Sequence, residues 1–584
     1  MKEILSETAG SFLLGWRGIR ESLLRSAMGI FSRFTVCEKE SIMGKRGDVM
    51  NAVIFNPLEE FEAKYQEKHR ENTEKFLEDL VRRSGIDTQQ NRLTVKQYDA
   101  YRADLAKLRK KRNWWRFLRV LMCITILLIP LVILKITPKI KDLRAQVEQA
   151  DQRADELLAQ ANEQMLPLNR LFTETDALRI IESTIPLISF ADHFTVEQEA
   201  NMKINYDFTD VEGEKTSTTD VLAGTYNENP FLFENRVLQT MGTETYHGYK
   251  TISWTETYRD SNGKLRTRTR SETLHATVTK PKPFYHNQVM LNYCAQGAPE
   301  LSFSRDADHV EQRSERSLQR LVKRGERTLQ KKTEEAISEN GDFMSMSNTE
   351  FEVLFDALNR TNEVQFRTMF TPLAQTNMVD LLTSQVGYGD DFYFIKSRRT
   401  NRIVAEHSQG RPVKLPPDSY VSYSYDIIKE NFCRENQEFF KAVYFDFAPI
   451  WAIPMYQERP VHSLEPIPDY DQLYSRKECE VLANTVAPEY VVHPRTQTQA
   501  IVKSSFIGSQ NGVDETCITA YSFDIQRRTD YVTVHGGDGH FHSVAVDWDD
   551  YLPLEHSSTF YIAAEEAAQN QSVIARRNGL CIFQ

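Results

Sequence analysis

The sequence lacks closely spaced cysteines. Its seven cysteines are spread along 584 residues, at positions 37, 123, 294, 433, 479, 517 and 581, and no CxxC spacing occurs. Zinc modules need clustered cysteines and disulfide frameworks need paired ones, so the spacing argues against both. We therefore expect most of these cysteines to be buried thiols.

Motifs for catalysis and targeting are also missing. No GxSxG elbow, HExxH helix, GxxxxGK[ST] loop or GxGxxG fingerprint is present. The start of the chain, MKEILSETAGSFLLGWRG, forms no long apolar run before its arginines, so no cleaved signal peptide is predicted. The net charge of -11 is spread without an acidic tail or a basic face, so no nucleic-acid partner is expected.

One segment, residues 114–136, predicts a transmembrane helix. The fifteen residues from 120 to 134 carry no charge, and the whole segment would rise about 34 Å, enough to cross the hydrocarbon core. Four flanking side chains suit the lipid headgroup region: Trp114, Trp115, Arg116 and Arg119. Pro130 predicts a bend in this helix.

The predicted span divides an α+β protein into four parts. These are a helical N-terminal region (1–113), the single transmembrane helix (114–136), a helical stalk (137–165) and a β-rich α+β domain (166–584) with a division near 340. Cations are more numerous before the span, which favours a cytoplasmic N-terminus and an external domain at the cell membrane. The unpaired cysteines instead favour a reducing compartment for that domain. The sequence therefore leaves undecided on which side of the membrane the domain lies.

Each of the two helical segments on either side of the span has two possible interpretations. Residues 11–34 predict a basic amphipathic helix that either lies on an anionic lipid leaflet or packs against residues 57–84. Residues 57–84 predict a charged helix, with Pro57 in its first turn and Gly85 just past its end. The stalk places Leu143, Val147 and Leu157 at helical spacing, as in a coiled coil. It either forms a weak homo-oligomer or docks on its own domain.

The large domain contains three segments with clear patterns. Strands near 249–259 and 264–280, joined at Asn262-Gly263, predict a long hairpin whose arms alternate threonine, charged and apolar residues. Pro281 and Pro283 are expected to end the second arm, because neither can donate to a ladder. Residues 309–338 predict a charged helix, and the glutamates among its cations favour a solvated face over a nucleic-acid surface. The apolar stretches TEFEVLFDAL and KAVYFDFAPIWAIPM predict strands, the second of them buried.

The best candidate for a metal site is VTVHGGDGHFHSVAVDWDDY. Strand alternation would place His540 and His542 on one face, and His535 or Asp538 could approach them across the glycine-rich turn. Such nitrogen and oxygen donors suit a transition metal. The alternative is an ordinary hairpin turn with exposed histidines. No other cofactor is indicated.

Two stretches resemble a known group of proteins. FEVLFDALNRTNEVQFRTMFTPLAQTNMVDLL and KAVYFDFAPIWAIPMYQERPVHSLEPIPDY together resemble uncharacterised bacterial membrane proteins, over about residues 220–555. The first stretch is also similar to a broader family that is anchored by a pair of membrane helices. The resemblance implies membrane attachment and no chemistry, and a helix pair would keep the domain on the side of the N-terminus.

These observations favour a membrane-anchored binding or scaffolding protein whose large domain engages a protein or envelope partner at the lipid bilayer. One alternative is a membrane-bound hydrolase with a metal site near His540 and His542. The other is a membrane-surface sensor that uses residues 11–34. The absence of catalytic motifs leaves enzyme activity open.

Overall fold

The computed structural model describes residues 53–123, 132–209, 215–261, 263–339, 341, 343–460, 464–568, 571–577 and 579–584. The helix predicted at 11–34 and Pro130 lie outside these residues. The described chain is an α+β fold with two antiparallel sheets, one of seven strands and one of five.

The helices are α1 (Pro57–Glu60), which continues through a π-helical turn (Phe61–Tyr65) into α2 (Gln66–Ser84), then α3 (Thr88–Cys123), α4 (Thr137–Asn169), α5 (Asp176–Thr184), α6 (Val196–Tyr206), α7 (Glu315–Glu339), α8 (Thr349–Phe355), α9 (Glu363–Met369), α10 (Pro372–Thr383), α11 (Tyr425–Trp451), α12 (Arg476–Thr485) and α13 (Pro488–Val491). A second π-helical turn (Val132–Ile136) precedes α4. Local sequence explains the first boundary, because the Asn56 side chain accepts hydrogen bonds from the Leu58 and Glu59 amides. Gly85, with φ at 66°, ends α2 in the left-handed conformation that glycine favours.

The first sheet has the order β1-β2-β3-β4-β7-β6-β5, with β1 (Ile188–Phe190), β2 (Thr216–Tyr226), β3 (Asn229–Arg259), β4 (Leu265–Cys294), β5 (Ser302–Arg305), β6 (Phe392–Ser397) and β7 (Thr400–Ala405). The second has the order β11-β12-β10-β9-β8, with β8 (Ile501–Gln510), β9 (Val513–His535), β10 (Phe541–Ala564), β11 (Val573–Arg577) and β12 (Leu580–Phe583). The second sheet begins at residue 501, far beyond the division near 340 that the sequence suggested.

The first sheet and the surrounding helices share one hydrophobic core, and α11 runs through it. Trp451 is fully buried and its ring stacks on Phe447, with centroids 5.2 Å apart. Phe61 meets Phe445 edge to face at 5.0 Å. The Tyr444 hydroxyl donates to the Pro57 carbonyl at 2.8 Å. Residues 57–84 therefore belong to the core of the large domain.

The helices on either side of the predicted membrane span, α3 and α4, pack against each other. Their contacts run in opposite directions: Asn91 with Gln164, Tyr98 with Leu157, Arg109 with Asp151 and Trp115 with Ile140. The two helices are therefore antiparallel. α4 returns to the body of the protein from which α3 departs.

Among the described residues, no helix has both the length and the apolar composition that a membrane crossing requires. The predicted single-pass helix at 114–136, and the cell-membrane localisation drawn from it, are therefore wrong. The tertiary structure gives a physical reason. Segments before and after that helix share one core, and a single crossing would place them on opposite sides of a bilayer.

The residues predicted as membrane anchors sit along this helix pair. The rings of Trp114 and Trp115 meet edge to face at 5.2 Å. Trp115 packs against Ile136 and Ile140 of the returning chain, and the Lys139 ammonium lies 5.3 Å from a Trp115 ring centroid. Arg116 and Arg119 are exposed.

The predicted stalk lies in α4. Leu143, Val147 and Leu157 are each only 3% exposed, and Leu157 packs on Tyr98 of α3. The apolar stripe that suggested a coiled coil is therefore covered by the same chain, and self-association stays an untested prediction.

Two segments predicted as strands are helices. TEFEVLFDAL contains α8, and KAVYFDFAPIWAIPM forms the second half of α11 and the turn after it. The second half of α11 is buried almost all round, so its apolar residues show none of the periodicity that identifies an amphipathic helix. Its valine, tyrosine and phenylalanine content is typical of strands, which explains the wrong prediction.

Candidate interaction site on the paired hairpins

Two hairpins extend beyond the sheets to which they belong. In the first sheet, β2 pairs with β3 only as far as Leu238, and β7 pairs with β4 only from Leu291. Residues 239–259 and 265–285, which we call the first hairpin, therefore pair only with each other among the described strands. At about 3.3 Å per residue, the 239–259 strand is about 70 Å long.

The second sheet has a similar extension. β8 pairs with β9 only up to Tyr521, and β12 pairs with β10 only from Tyr561. Residues 522–535 and 541–554, which pair with each other, form the second hairpin. Isolated two-stranded hairpins are marginally stable in water, so both ribbons need support from a further layer.

The two hairpins supply that layer to each other, and we call the pair the hairpin arm. Ile252 and Leu274 of the first hairpin are buried against Val544 and Val546 of the second. These residues form a small core that is separate from the cores of the two sheets, with Trp254 at its border. The arm is thus a local β-sandwich of two ribbons.

Polar contacts fix how the two hairpins sit on each other. The Lys280 ammonium lies 2.6 Å from the Asp530 carboxylate and 4.1 Å from a Trp548 ring centroid. The hydrogen bond from Lys280 lowers the pKa of Asp530. At the turn of the second hairpin, the Gly537 amide donates to Glu272 at 2.6 Å.

Between residues 245 and 257 on one strand and 267 and 279 on the other, the outer face of the first hairpin points away from the second hairpin and is exposed. We call it the hydroxyl face, and its fourteen residues, seven on each strand, are Thr245, His247, Tyr249, Thr251, Ser253, Thr255 and Thr257 opposite Thr279, Thr277, His275, Thr273, Ser271, Thr269 and Thr267. Arg259 stands on the same side one step beyond this stretch. Five of the seven facing pairs are hydroxyl with hydroxyl. Thr251 and Thr273 are 3.1 Å apart at their Oγ1 atoms.

An aromatic cluster interrupts the rows of hydroxyls. The His247 Nδ1 atom lies 2.9 Å from the His275 Nε2 atom, and the two rings are nearly parallel. The Tyr249 ring stacks on His275 with centroids 4.8 Å apart. Tyr249 is 67% exposed, so this cluster is open to a partner.

The hydroxyl face carries no Asp, Glu, Lys or Arg, although these residues make up 26% of the chain. The opposite face of the same strands holds charged groups such as Glu256 and Arg270, which form an ion pair at 2.7 Å. The alternation of threonine with charged and apolar residues predicts the two strands but not this surface, because alternation alone does not tell which face a second layer will cover.

The four residues of the predicted metal site do not converge. His542 and Asp538 pair at 2.9 Å, and the hydrogen bond from His542 lowers the pKa of Asp538. His535 stands on the other face of the ribbon, in register with Phe541 and edge to face with its ring. His540 precedes the strand and donates its amide to Asp538. In the described part of the chain, no three His, Cys, Asp or Glu side chains are placed to hold a metal ion.

A buried histidine elsewhere has a carboxylate partner. His407 Nδ1 lies 2.6 Å from Asp391, with the Tyr388 ring stacked on the imidazole at 3.8 Å. The other ring nitrogen, Nε2, faces the Ala442 carbonyl at 3.2 Å rather than a nucleophile. The neighbouring Ser408 hydroxyl donates to Asp446 instead. This arrangement ties α11 to the loop after β7 and lacks the nucleophile–base contact that acyl transfer needs.

Two open grooves lie near the C-terminal strands, with volumes of about 550 and 600 Å³. Tyr561 and Phe583 line the first, and Glu566 and Arg576 line the second. Neither groove places a histidine beside a nucleophile. The hairpin arm is the better candidate for function.

Comparison with protein families, with curated proteins and with solved structures gives no match. The resemblance to uncharacterised bacterial membrane proteins therefore stays a prediction.

Proposed function

We propose that this protein is a binding protein that holds a partner protein on the hydroxyl face of its hairpin arm. The observation that carries the proposal is the absence of charged side chains from all fourteen positions of that face. Interface centres are depleted in charged residues and enriched in tyrosine, whereas ordinary solvated strands and free strand edges carry many charges.

The chemistry of the face suits a protein ligand. Threonine and serine hydroxyls both donate and accept hydrogen bonds, so they can satisfy main-chain groups of a partner at little desolvation cost. Tyr249 and the two histidines stacked beside it supply the aromatic contact area that interface hot spots use. Packing on the second hairpin holds the ribbon in place, which reduces the entropy lost on binding.

Site-specific photo-crosslinking tests the proposal. A benzophenone amino acid at position 249 is expected to give a discrete adduct with one protein in the native host. The control position is 531, because Tyr531 is also an exposed tyrosine, 72% exposed on the outer face of the second hairpin.

The adduct at position 249 should disappear when Thr251 and Thr273 are both changed to Arg, since two charges would then stand in the centre of the face. Loss of the adduct together with unchanged thermal unfolding supports the proposal. An adduct that survives the double substitution, or that forms equally from position 531, contradicts it.

A further inference from the structure

Helix α7 presents a continuous row of cations to solvent. Arg316, Arg320, Lys323, Arg324, Arg327 and Lys331 are all exposed, and we call them the basic ridge. They recur at intervals of one to four residues, which keeps them on one side of an α-helix over about 22 Å. Four of the six are arginines, the residue best suited to bind carboxylates in pairs of hydrogen bonds.

The glutamates of α7 do not cover this ridge. Glu315 and Glu326 lie on the flank of the helix, and Glu326 accepts a hydrogen bond from Thr349. Glu334 comes one turn later and marks the end of the ridge. Among the described residues, none of the six cations forms an ion pair with a carboxylate within 4.0 Å, although such pairs are common elsewhere on this surface. The cancellation of charge expected from the sequence is therefore absent on this face.

The opposite side of α7 fixes the helix to the body of the protein. Leu329 is only 3% exposed, and Leu318 and Val322 pack against the main core. A Cβ on Gly325 would lie 2.5 Å from the Val353 side chain, so α7 touches α8 closely at that point. The ridge is thus a rigid feature that substitutions on its outer face leave intact.

We propose that the basic ridge binds an acidic protein segment about four helical turns long. The charges are confined to one line of about 22 Å, and a helix with carboxylates on one face matches that length and spacing. A long nucleic acid fits less well, because it would run on past Glu334 and Glu335 and over a chain whose net charge is -11. The ridge also holds no aromatic side chain on which a base could stack.

The test measures binding of the full-length protein to fluorescent poly-L-glutamate, with a short DNA duplex as the competing probe. Wild type is expected to bind poly-L-glutamate, and the binding should weaken as salt rises from about 50 to 200 mM. The variant with Arg316→Glu, Arg320→Glu and Arg327→Glu should bind about tenfold or more weakly. Arg→Gln at the same three positions should give an intermediate loss.

A control variant carries Lys75→Glu, Lys429→Glu and Arg434→Glu, three exposed cations on α2 and α11. It changes the net charge by the same amount and should bind like wild type, so a general charge effect is separated from a local one. The proposal is overturned if wild type does not bind poly-L-glutamate, or if the control variant loses binding as strongly. Tighter binding of the DNA duplex through the same arginines also overturns it, in favour of a nucleic-acid surface.

Discussion

Gly248 of the first hairpin lies against the main chain of Ala545 in the second. A Cβ added to Gly248 would stand 2.2 Å from the Ala545 carbonyl oxygen and 2.8 Å from the Val546 side chain. No side chain fits in that space, so glycine lets the two ribbons approach at the level of their backbones. Val546 on the other side of this contact belongs to the small core of the arm.

Gly248→Ala should therefore separate the hairpins. The added methyl group must displace the Ala545 backbone, and we expect a loss of about 1–3 kcal/mol in the free energy of unfolding. Chemical denaturation followed by tryptophan fluorescence measures it, since Trp254 and Trp548 lie in the arm. Gly508→Ala is the matched control, because a Cβ there meets nothing within 4 Å. Equal stability of the two variants would contradict this contact.

The shared core predicts that residues 57–84 and the large domain unfold together. Phe61 is 2% exposed among the aromatic rings of α11, so Phe61→Ala should cost about 3–5 kcal/mol and shift the single unfolding transition. Phe55 is 60% exposed, and Phe55→Ala should change stability very little. Two separate transitions in wild type, with only the weaker one shifted by Phe61→Ala, would show that the segment is an independent unit.

Burial of Lys396 makes stability depend on pH. Its ammonium donates to the Gly297 carbonyl at 3.1 Å in the protein interior, and burial lowers the pKa of Lys396 from 10.5 to about 7. Between these two values the unfolded chain binds a proton that the folded chain does not. Stability therefore rises with pH over this range, whereas below about pH 7 both states bind the proton and this group adds no pH dependence.

Lys396→Met removes that contribution. Relative to this variant, wild type should gain stability as pH rises above 7, by at most about 1.4 kcal/mol per pH unit. Urea denaturation of both proteins at several pH values between 7 and 9 measures the difference. Lys264→Met, at an exposed position near the tip of the first hairpin, serves as the control and should leave the pH profile unchanged. If the free energy of unfolding changed with pH in the same way for wild type and Lys396→Met, the lowered pKa of Lys396 would be contradicted.

Cysteine reactivity should follow burial. Cys294 and Cys479 are free and buried, and burial raises the pKa of Cys294 to about 12 and also raises that of Cys479. Cys517 is free and only partly buried. In native protein, iodoacetamide should modify Cys294 and Cys479 at least about tenfold more slowly than Cys517. Peptide mass spectrometry measures the modification of each cysteine, and the difference in rate should vanish in denaturant. Rapid modification of native Cys294 would mean that its surroundings open to solvent.

Sequence patterns correctly located features that depend on neighbouring residues. A helix begins at Pro57 and the helical segment ends at Gly85, because proline suits the first turn and glycine the left-handed end. The predicted hairpin is present, with β3 ending at Arg259, β4 beginning at Leu265 and Gly263 at a φ of 75° in the turn. Period-two alternation in its arms was sufficient to predict strands.

The same hairpin shows where local rules fail. Pro281 and Pro283 were expected to stop the second strand, yet β4 continues through both, opposite Thr243 and Met241. At these positions β4 pairs with β3 on one side only, because β7 joins it from Leu291 onwards. A proline whose nitrogen faces the unpaired edge removes no ladder hydrogen bond, and whether an edge is paired is a property of the whole sheet.

The sequence by itself therefore determined the α+β class, the first hairpin and the ends of individual helices, since caps, turns and alternation act over a few residues. The tertiary structure decided which surfaces are covered. Only long-range packing shows that α3 and α4 form an antiparallel pair, that α11 is a buried helix and that the second hairpin leaves the hydroxyl face exposed. The free energy of such packing comes from apolar area buried between residues that are distant in sequence, and no local pattern records which partner will cover it.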